Sequence, residues 1–148
     1  MTTKAVSESM KQLVNHYAEA ITENYRRYHI NTLNGNLHGN YPEYAKEQLA
    51  EIENGTANLM KFKVYSGKKY YKIVQQEFET WEKSKNYGKY ADGSVHAFVN
   101  KETGDVYKPA SWKAPAKHIR FSFQNEADLR FLLNPDNVGW AGGYLYIR

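Results

Sequence analysis

The spacing of apolar residues changes at Gly55, and this change limits the folds that the chain can adopt. From Ser7 to His29, apolar side chains recur every three or four residues, which predicts a long amphipathic helix. A second helix is predicted from Pro42 to Glu53, because Pro suits a first helical turn and Asn54 with Gly55 suits a helix end. After Gly55, apolar and polar residues alternate as they do in a strand. The first part of the chain is therefore helical, and the remainder is rich in β-structure.

Two β-hairpins are predicted in the second part of the chain. The strands of the first hairpin, at about Met60 to Tyr65 and Lys69 to Gln75, are joined by a short turn that contains Gly. The second hairpin pairs Val95 to Val99 with Asp105 to Lys108. Gly104 ends the connection between these two strands, at the position where a left-handed residue closes a type I turn.

The remaining segments are predicted from their turn residues and helix caps. Asn31 to Asn40 is rich in Asn and Gly and is expected to be a loop, and Glu77 to Gly93 is expected to be a longer loop or an irregular extension. His118 to Phe123 is predicted as a strand. Asn125 is expected to cap a short helix, and Gly142 to Ile147 is predicted as a strand that returns the C-terminus to the sheet.

Together these elements predict one α+β domain over residues 1–148. We expect a curved antiparallel sheet of two hairpins plus a C-terminal strand, packed on one face by the long N-terminal helix. No tract of Ser, Gly or Pro is long enough to act as an interdomain linker. Leu13 and Ile21 are the helix residues that we expect to contact the sheet.

The composition excludes several classes of protein. The chain contains no cysteine, which excludes disulfide bonds and thiolate metal sites. No run of 18 consecutive apolar residues occurs, and Met1 to Lys11 lacks the apolar run of a signal peptide. We therefore expect a cytoplasmic protein that has no membrane partner.

The basic residues are concentrated in the middle of the chain. The formal net charge is +4. Residues 56–120 hold thirteen Lys or Arg and six Asp or Glu, whereas residues 1–55 hold five against seven and residues 121–148 hold two against three. This distribution favours an anionic partner, such as nucleic acid, an acidic protein face or a phosphorylated ligand. A solvated surface rich in lysine has the same composition and remains the alternative.

The segment from Val95 to Lys117 has the residues most typical of a binding site. Its strands lead into a turn, bounded by Pro109 and Pro115, that holds Trp112 between basic residues. A ring that stacks a base, beside cations that bind phosphates, is typical of single-stranded nucleic-acid binding. The candidate binding residues are Tyr107, Lys108, Trp112, Lys113, Lys117, His118 and Arg120. In the alternative interpretation, Trp112 only plugs the open end of the sheet and the lysines stay in water.

Common enzyme motifs do not occur in the sequence. GxxxxGK[ST], GxGxxG, HExxH and GxSxG are all absent. The five histidines have no metal-ligand spacing, so we predict no metal, no cofactor and no catalytic residue. A Ser111, His118 and Asp105 arrangement can be imagined, but almost any chain of this length offers such a set.

Four segments in the middle of the chain occur in an order that resembles part of a known group of proteins. They are Gly67 to Val74, Ser94 to Val99, Gly104 to Lys108 and Ala110 to Lys117. This order resembles a segment of small, mostly uncharacterised proteins of tailed bacteriophages, in which a short Arg-Gly segment often follows; here His118 to Phe121 follows instead. The resemblance implies a phage accessory protein that acts in the infected bacterial cytoplasm or is packaged in the virion. The group has no agreed activity, so no residue role is implied.

Three functions are compatible with the sequence. The first is binding of an anionic partner, with nucleic acid as the leading case. The second is a protein-interaction role as an inhibitor of a host enzyme or defence system, or as a virion component, because Tyr and Trp are favoured anchors of interfaces. The third is a small hydrolase or nuclease that uses His96 or His118. We favour a binding protein over an enzyme.

Overall fold

The computed structural model describes residues 3–146 of the chain. Within these residues the helices and strands have the following bounds, in chain order: α1 (Thr3–Asn36), α2 (Pro42–Asn54), β1 (Lys61–Ser66), β2 (Tyr70–Phe78), β3 (Tyr90–Asn100), β4 (Asp105–Tyr107), β5 (Phe121–Ser122), α3 (Glu126–Leu132) and a 3-10 helix (Gly143–Leu145).

The five strands form one antiparallel sheet in the order β1-β2-β3-β4-β5. The two predicted hairpins are therefore present, as β1–β2 and β3–β4. α1 packs against one face of this sheet. The predicted α+β fold, with a long N-terminal helix on an antiparallel sheet, is confirmed.

The main core lies between α1 and the sheet. Ile21 of α1 is fully buried, whereas Leu13 is only partly buried at the edge of the cluster. Of the two helix residues expected to contact the sheet, Ile21 is thus the central one. The buried cluster includes Met10, Val14, Tyr17, Ala18 and Ile21 from α1 and Phe62, Tyr71, Ile73, Ala97, Val99 and Val106 from the strands.

α1 is longer than the sequence indicates. It begins at Thr3 rather than Ser7 and continues to Asn36, so the loop predicted from Asn31 onward is wrong as far as Asn36. Leu33 is buried, and burial of a Leu side chain stabilises a fold by about 1.5–3 kcal/mol. This burial offsets the poor helix propensity of the Asn and Gly residues around it.

β2 and β3 extend into a segment that was expected to be irregular. β2 runs to Phe78 and β3 begins at Tyr90, so the irregular part of the predicted Glu77–Gly93 loop is limited to residues 79–89. The Phe78 and Tyr90 rings pack edge to face with 5.4 Å between their centroids. Aromatic cross-strand pairs stabilise a sheet, and this pair lets the strands continue through a polar stretch of sequence.

Gly104 closes the β3–β4 turn as predicted, with a φ of 75°. A Cβ atom at this position would lie 2.9 Å from Phe123 Cβ and 3.1 Å from Met10 Cε. Glycine is therefore required here for two reasons: the backbone conformation is left-handed, and the Met10 side chain of α1 lies too close to leave room for a Cβ atom.

The predicted C-terminal strand from Gly142 to Ile147 is wrong over the residues that the structure describes. The chain forms the 3-10 helix Gly143–Leu145 instead, and the fifth strand is Phe121–Ser122. Arg120 Nε donates a hydrogen bond to the Leu145 carbonyl at 2.6 Å, and the Leu145 side chain is buried. The Leu145 carbonyl is therefore hydrogen-bonded to a guanidinium and not to a neighbouring strand. The last residue of the predicted strand lies outside the described residues.

The segment between β4 and the C-terminal turn agrees in part with expectation. A strand was predicted from His118 to Phe123, and the observed strand β5 covers only Phe121 and Ser122 of it. The cap of α3 is confirmed, because the Asn125 side chain accepts a hydrogen bond from the Asp128 amide at 3.0 Å. In residues 3–146, no helix has the length and apolar character needed to cross a membrane.

Candidate functional site

The face of the sheet that points away from α1, which we call the outer face, carries a second and smaller apolar cluster. Val74, Val95 and Phe98 are buried in this cluster. The residues that pack around it are the half-buried tyrosines Tyr65, Tyr70 and Tyr107. Because the phenol rings cover the apolar cluster and leave their hydroxyls near water, the outer face is both aromatic and polar.

Trp112 lies above the outer face on a closed loop. Pro109 and Pro115 form a bridge at the base of this loop, and the Ala110 amide donates to the Ala114 carbonyl at 3.0 Å. Trp112 is 43% exposed, and the Lys72 ammonium of β2 lies 4.4 Å from the centre of its ring. Trp112 is thus neither buried as a plug nor isolated from the sheet.

Lysine ammonium groups lie over aromatic rings across the whole sheet. The shortest of these distances joins Lys61 Nζ to the Tyr90 ring, at 4.1 Å. Each such contact is worth about 0.5–1 kcal/mol at an exposed site. The other pairs are Lys63 with Tyr65, Lys69 with Tyr70, Lys72 with Phe98 and Trp112, Lys101 with Tyr71, and Lys108 with Tyr146.

Among the described residues, these lysines form no ion pair with a carboxylate, although Lys63 and Lys72 help to lower the pKa of Asp92. Among the side chains that the structure describes, no lysine from Lys61 to Lys117 lies within 4.0 Å of a carboxylate oxygen. In the helices, by contrast, Arg27 pairs with Glu23 at 2.8 Å and with Asp136 at 3.0 Å. The positive charge of the sheet is therefore available to an anionic ligand without loss of an ion pair.

The structure separates the predicted binding residues into three groups. Tyr107 and Trp112 lie on or above the outer face. Lys108 and Arg120 instead contact the C-terminal turn, because Lys108 lies over the Tyr146 ring and Arg120 donates to a backbone carbonyl. The remaining residues, Lys113, Lys117 and His118, are exposed around and after the Trp112 loop.

Lys72 and Tyr70 of β2 lie at this site but are not among the binding residues predicted from the sequence. The sequence did contain a signal for them. Tyr70, Lys72 and Val74 are every second residue of one strand, so their side chains point to the same face. Their proximity to Trp112 depends on strand pairing. Lys72 lies opposite Phe98 of β3, which lies opposite Tyr107 of β4, and only this register brings β2 under the loop.

One carboxylate, Asp92, lies among the polar residues of the outer face. It accepts a hydrogen bond from Gln76 Nε2 at 2.7 Å and from the Tyr65 hydroxyl at 2.8 Å. The hydrogen bond from Gln76 is the main cause that lowers the pKa of Asp92, burial acts in the opposite direction, and the Tyr65 hydroxyl and the charges of Lys63 and Lys72 lower it further. Asp92 therefore remains ionised and marks an end of the outer face that would repel phosphate.

His96 of β3 belongs to a buried chain of hydrogen bonds rather than to the surface. His96 Nε2 and the Tyr144 hydroxyl are 2.7 Å apart, and the hydroxyls of Tyr144 and Tyr17 are 2.6 Å apart. Burial lowers the pKa of His96 to about 4, against a smaller opposite effect of a hydrogen bond with the backbone of Trp140. The imidazole is therefore neutral near pH 7 and is engaged in structural hydrogen bonds.

Ser111 and Asp105, two of the residues considered for catalysis, form hydrogen bonds with neighbouring residues of their own turns. The Ser111 hydroxyl accepts hydrogen bonds from the amides of Lys113 and Ala114, at 3.2 Å each. The Asp105 carboxylate accepts one from the Thr103 hydroxyl at 2.8 Å. In the described part of the chain, no group of three or more His, Asp or Glu side chains is arranged to hold a metal ion.

Comparison with known proteins gives a family but no described activity. Neither the curated proteins nor the solved structures contain a match to this chain. One family model matches residues 2–147, which is nearly the whole sequence. The chain therefore belongs to the family of unknown function DUF7717.

Proposed function

We propose that this chain is a phage-type accessory protein that binds single-stranded nucleic acid on the outer face of its sheet, beneath the Trp112 loop. The observation that carries the proposal is the Lys72 ammonium 4.4 Å from the ring of Trp112, a side chain that is 43% exposed. A cation beside an exposed ring is the pair of groups that contacts a phosphate and stacks a base. The phage setting rests on the resemblance of residues 67–117 to tailed-phage proteins.

The charge of the sheet supports this proposal. Lys63, Lys69 and Lys72 lie over rings and form no ion pair within 4.0 Å among the described residues, so phosphates would meet cations that are not held in ion pairs. Each phosphate that a lysine neutralises releases condensed counterions, which makes binding favourable and dependent on salt. The exposed Lys113 and Lys117 extend the same charge past the Trp112 loop.

The aromatic rings favour an unpaired strand over a duplex. A base can stack on Trp112 only when it is not already stacked within a double helix, and base–aromatic stacking is worth about 1–3 kcal/mol per base. The neighbouring Tyr70 and Tyr107 rings are half-buried and meet edge to face at 6.0 Å. We therefore assign the main stacking contact to Trp112 and polar contacts to the tyrosines.

The test is fluorescence anisotropy of a labelled thymidine oligonucleotide, titrated with the chain at low and at physiological salt. We expect affinity to fall linearly with salt on logarithmic axes and a duplex of equal length to bind more weakly. Lys72→Glu should weaken binding and lower the salt slope by about 1. Lys46→Glu is the matched control, because Lys46 lies on α2 and pairs there with Glu43. Absence of binding at both salts would refute the proposal.

A protein-interaction role, as an inhibitor of a host enzyme or defence system or as a virion component, is the second candidate. It is favoured by Tyr41, which directly precedes α2, and Tyr44 in the first turn of α2, which are 78% and 60% exposed. Exposed tyrosines are typical anchors of protein interfaces. Bacterial proteins that copurify with the wild type but not with a Tyr41→Ala and Tyr44→Ala double variant, which leaves the outer face intact, would favour this candidate over the first.

A further inference from the structure

A chain of hydrogen bonds attaches the C-terminal turn, residues 140–146, to β3 and α1, and its partners determine where each proton lies. His96 Nε2 pairs with the Tyr144 hydroxyl, and the ring also bonds to the backbone of Trp140. The Trp140 amide already donates to Asn24 Oδ1 at 3.0 Å, so the ring meets the Trp140 carbonyl. A carbonyl only accepts hydrogen bonds. The proton of the neutral ring therefore lies on Nδ1, and Nε2 is an acceptor.

This tautomer fixes the direction of both hydroxyl bonds. The Tyr144 hydroxyl donates to His96 Nε2 at 2.7 Å, and its oxygen accepts the proton of the Tyr17 hydroxyl at 2.6 Å. The Tyr17 side chain of α1 is fully buried, and in the described part of the chain its hydroxyl is partnered by Tyr144. Tyr144 therefore joins α1 to β3.

Protonation of His96 would break this chain. A protonated ring donates from both nitrogens, so the Tyr144 oxygen would accept from Nε2 and the Tyr144 proton would lose its acceptor. Among the described side chains, no carboxylate oxygen lies within 4.0 Å of the ring nitrogens. The new charge would therefore be buried without a partner, which disfavours the closed arrangement.

The groups that face the imidazole do not offset this charge. The titratable ones are Tyr17 of α1, Tyr144 of the turn and Lys108 at the end of β4. Burial raises the pKa of both phenols, so they stay neutral, and the ammonium repels a second cation. β1 contributes Phe62, whose ring centre lies 5.2 Å from that of the imidazole, and β2 contributes Gln75.

The turn can open while the rest of the fold stays closed. It contains the 3-10 helix Gly143–Leu145, and a groove of about 310 Å³ lies between it and the ends of β3 and β4. Leu145 is its fully buried side chain, so loss of this burial is the main cost of opening. Movement of the turn would admit water to the imidazole without separating α1 from the sheet.

The closed turn also holds two cations that were predicted to bind an anionic partner. Arg120 Nε donates to the Leu145 carbonyl at 2.6 Å, and the Lys108 ammonium lies 4.3 Å from the centre of the Tyr146 ring. Lys108 directly follows Tyr107, which lies on the outer face. Opening of the turn would therefore release positive side chains beside that face.

We propose that the C-terminal turn is a latch that closes on neutral His96 and that acid opens, and that the closed latch keeps Lys108 and Arg120 from an anionic ligand. The second part rests on the proposed function, whereas the first does not. The pKa of His96 is about 4 in the closed state against 6.5 for a free imidazole. The latch is therefore closed above about pH 6.5 and loosens as pH falls toward 4.

The first experiment reads the proton positions at pH 7. Nitrogen NMR of the full chain should show His96 protonated on Nδ1 and unprotonated on Nε2, and the opposite tautomer would overturn the proposal. Tyr144→Phe leaves two buried groups without a partner, whereas Tyr17→Phe leaves the bond from Tyr144 to His96 intact. Amide hydrogen exchange in residues 140–146 should therefore be about tenfold faster in Tyr144→Phe than in Tyr17→Phe. Equal rates would contradict the proposed chain.

The second experiment follows amide exchange between pH 7 and pH 4.5, corrected for the intrinsic effect of pH. Residues 140–146 of the wild type should lose protection at a higher pH than α1 does. His96→Gln can still accept from Tyr144 but does not titrate, so its turn should keep its protection. Loss of protection in the turn and in α1 at the same pH would show global unfolding and would overturn the latch.

The third experiment tests the two cations. Thymine and phosphate keep their charge over this pH range, so the salt slope of thymidine oligonucleotide binding reports the protein. We expect the slope to rise by up to about 2 at pH 4.5 in the wild type, by about 1 less in Lys108→Gln, and to change least in His96→Gln. A turn that opens without a steeper slope would overturn the second part. Absence of binding at both pH values would refute this part and the proposed function together, and the exchange rates would still decide the latch.

Discussion

The two faces of the sheet differ in how far their side chains are buried. The face against α1 buries a continuous apolar core around Ile21 and Ile73. The outer face buries a smaller apolar cluster of Val74, Val95 and Phe98, and covers it with tyrosines and lysines. The first arrangement excludes water and stabilises the fold, whereas the second keeps charge and aromatic surface in contact with solvent. We therefore expect substitutions on the outer face to alter the proposed ligand binding with a smaller effect on stability than substitutions in the core.

The largest expected effect comes from the face against α1. Ile21→Ala removes a fully buried side chain, and we expect the free energy of unfolding to fall by about 2–5 kcal/mol. Urea unfolding measures this change. Leu13→Ala, at the partly buried edge of the same core, should cost less. If the two variants lost equal stability, the distinction between centre and edge of this core would be wrong.

The buried imidazole should make stability depend on pH. The pKa of His96 is lowered from 6.5 to about 4 in the folded chain, so the unfolded state binds a proton that the folded state cannot accept. Stability is therefore full above about pH 6.5 and is lost as pH falls toward 4, by up to about 3 kcal/mol.

The control for this pH effect uses two histidine variants. Urea unfolding of the wild type and of His96→Gln at pH 7.5 and pH 5 should show a smaller pH dependence in the variant. His118→Gln, which changes an exposed residue, should retain the dependence of the wild type. An unchanged dependence in His96→Gln would show that other groups cause it.

A smaller effect on stability, with a specific effect on binding, is expected on the outer face. Trp112→Ala removes a ring that is 43% exposed, so its cost in stability should be well below that of Ile21→Ala. The affinity for the thymidine oligonucleotide should fall by about 1–3 kcal/mol. Circular dichroism and anisotropy on the same sample separate the two effects. Undiminished affinity would move the stacking contact away from Trp112.

The smallest effect is expected at the paired cations of the helices. Arg27→Gln breaks exposed contacts with Glu23 and Asp136, and exposed ion pairs contribute little because water and salt screen them. We expect unfolding and oligonucleotide binding both to remain near wild type. A loss of oligonucleotide affinity as large as that of Lys72→Glu would mean that the helices, and not only the sheet, bind the ligand.

Local signals in the sequence predicted much of the fold. The helical period located α1, and the Asn–Gly pair ended α2 as expected. The β3–β4 hairpin followed from Gly104, whose backbone conformation few other residues adopt. The predictions of a loop from Asn31 and of a C-terminal strand failed because Leu33 is buried and because Arg120 binds the Leu145 carbonyl, and neither the burial nor this contact can be predicted from local spacing.

The candidate site was predicted only in part. Tyr107 and Trp112 were identified from the sequence and do lie at the outer face. Lys108 and Arg120 were also predicted to bind, and in the structure their side chains contact the C-terminal turn. Lys72 was not identified, because forty residues separate it from Trp112 in the chain.

Periodicity and turn residues within a few positions of each other were enough to predict most helices and strands and the side chains that share a face. Which faces meet became known from the folded chain alone. The strand register placed Lys72 beneath Trp112, and among the described residues only Phe98 and Val99 of β3 pair with β4. Contacts of this kind depend on pairing between distant segments, and local spacing does not encode that pairing.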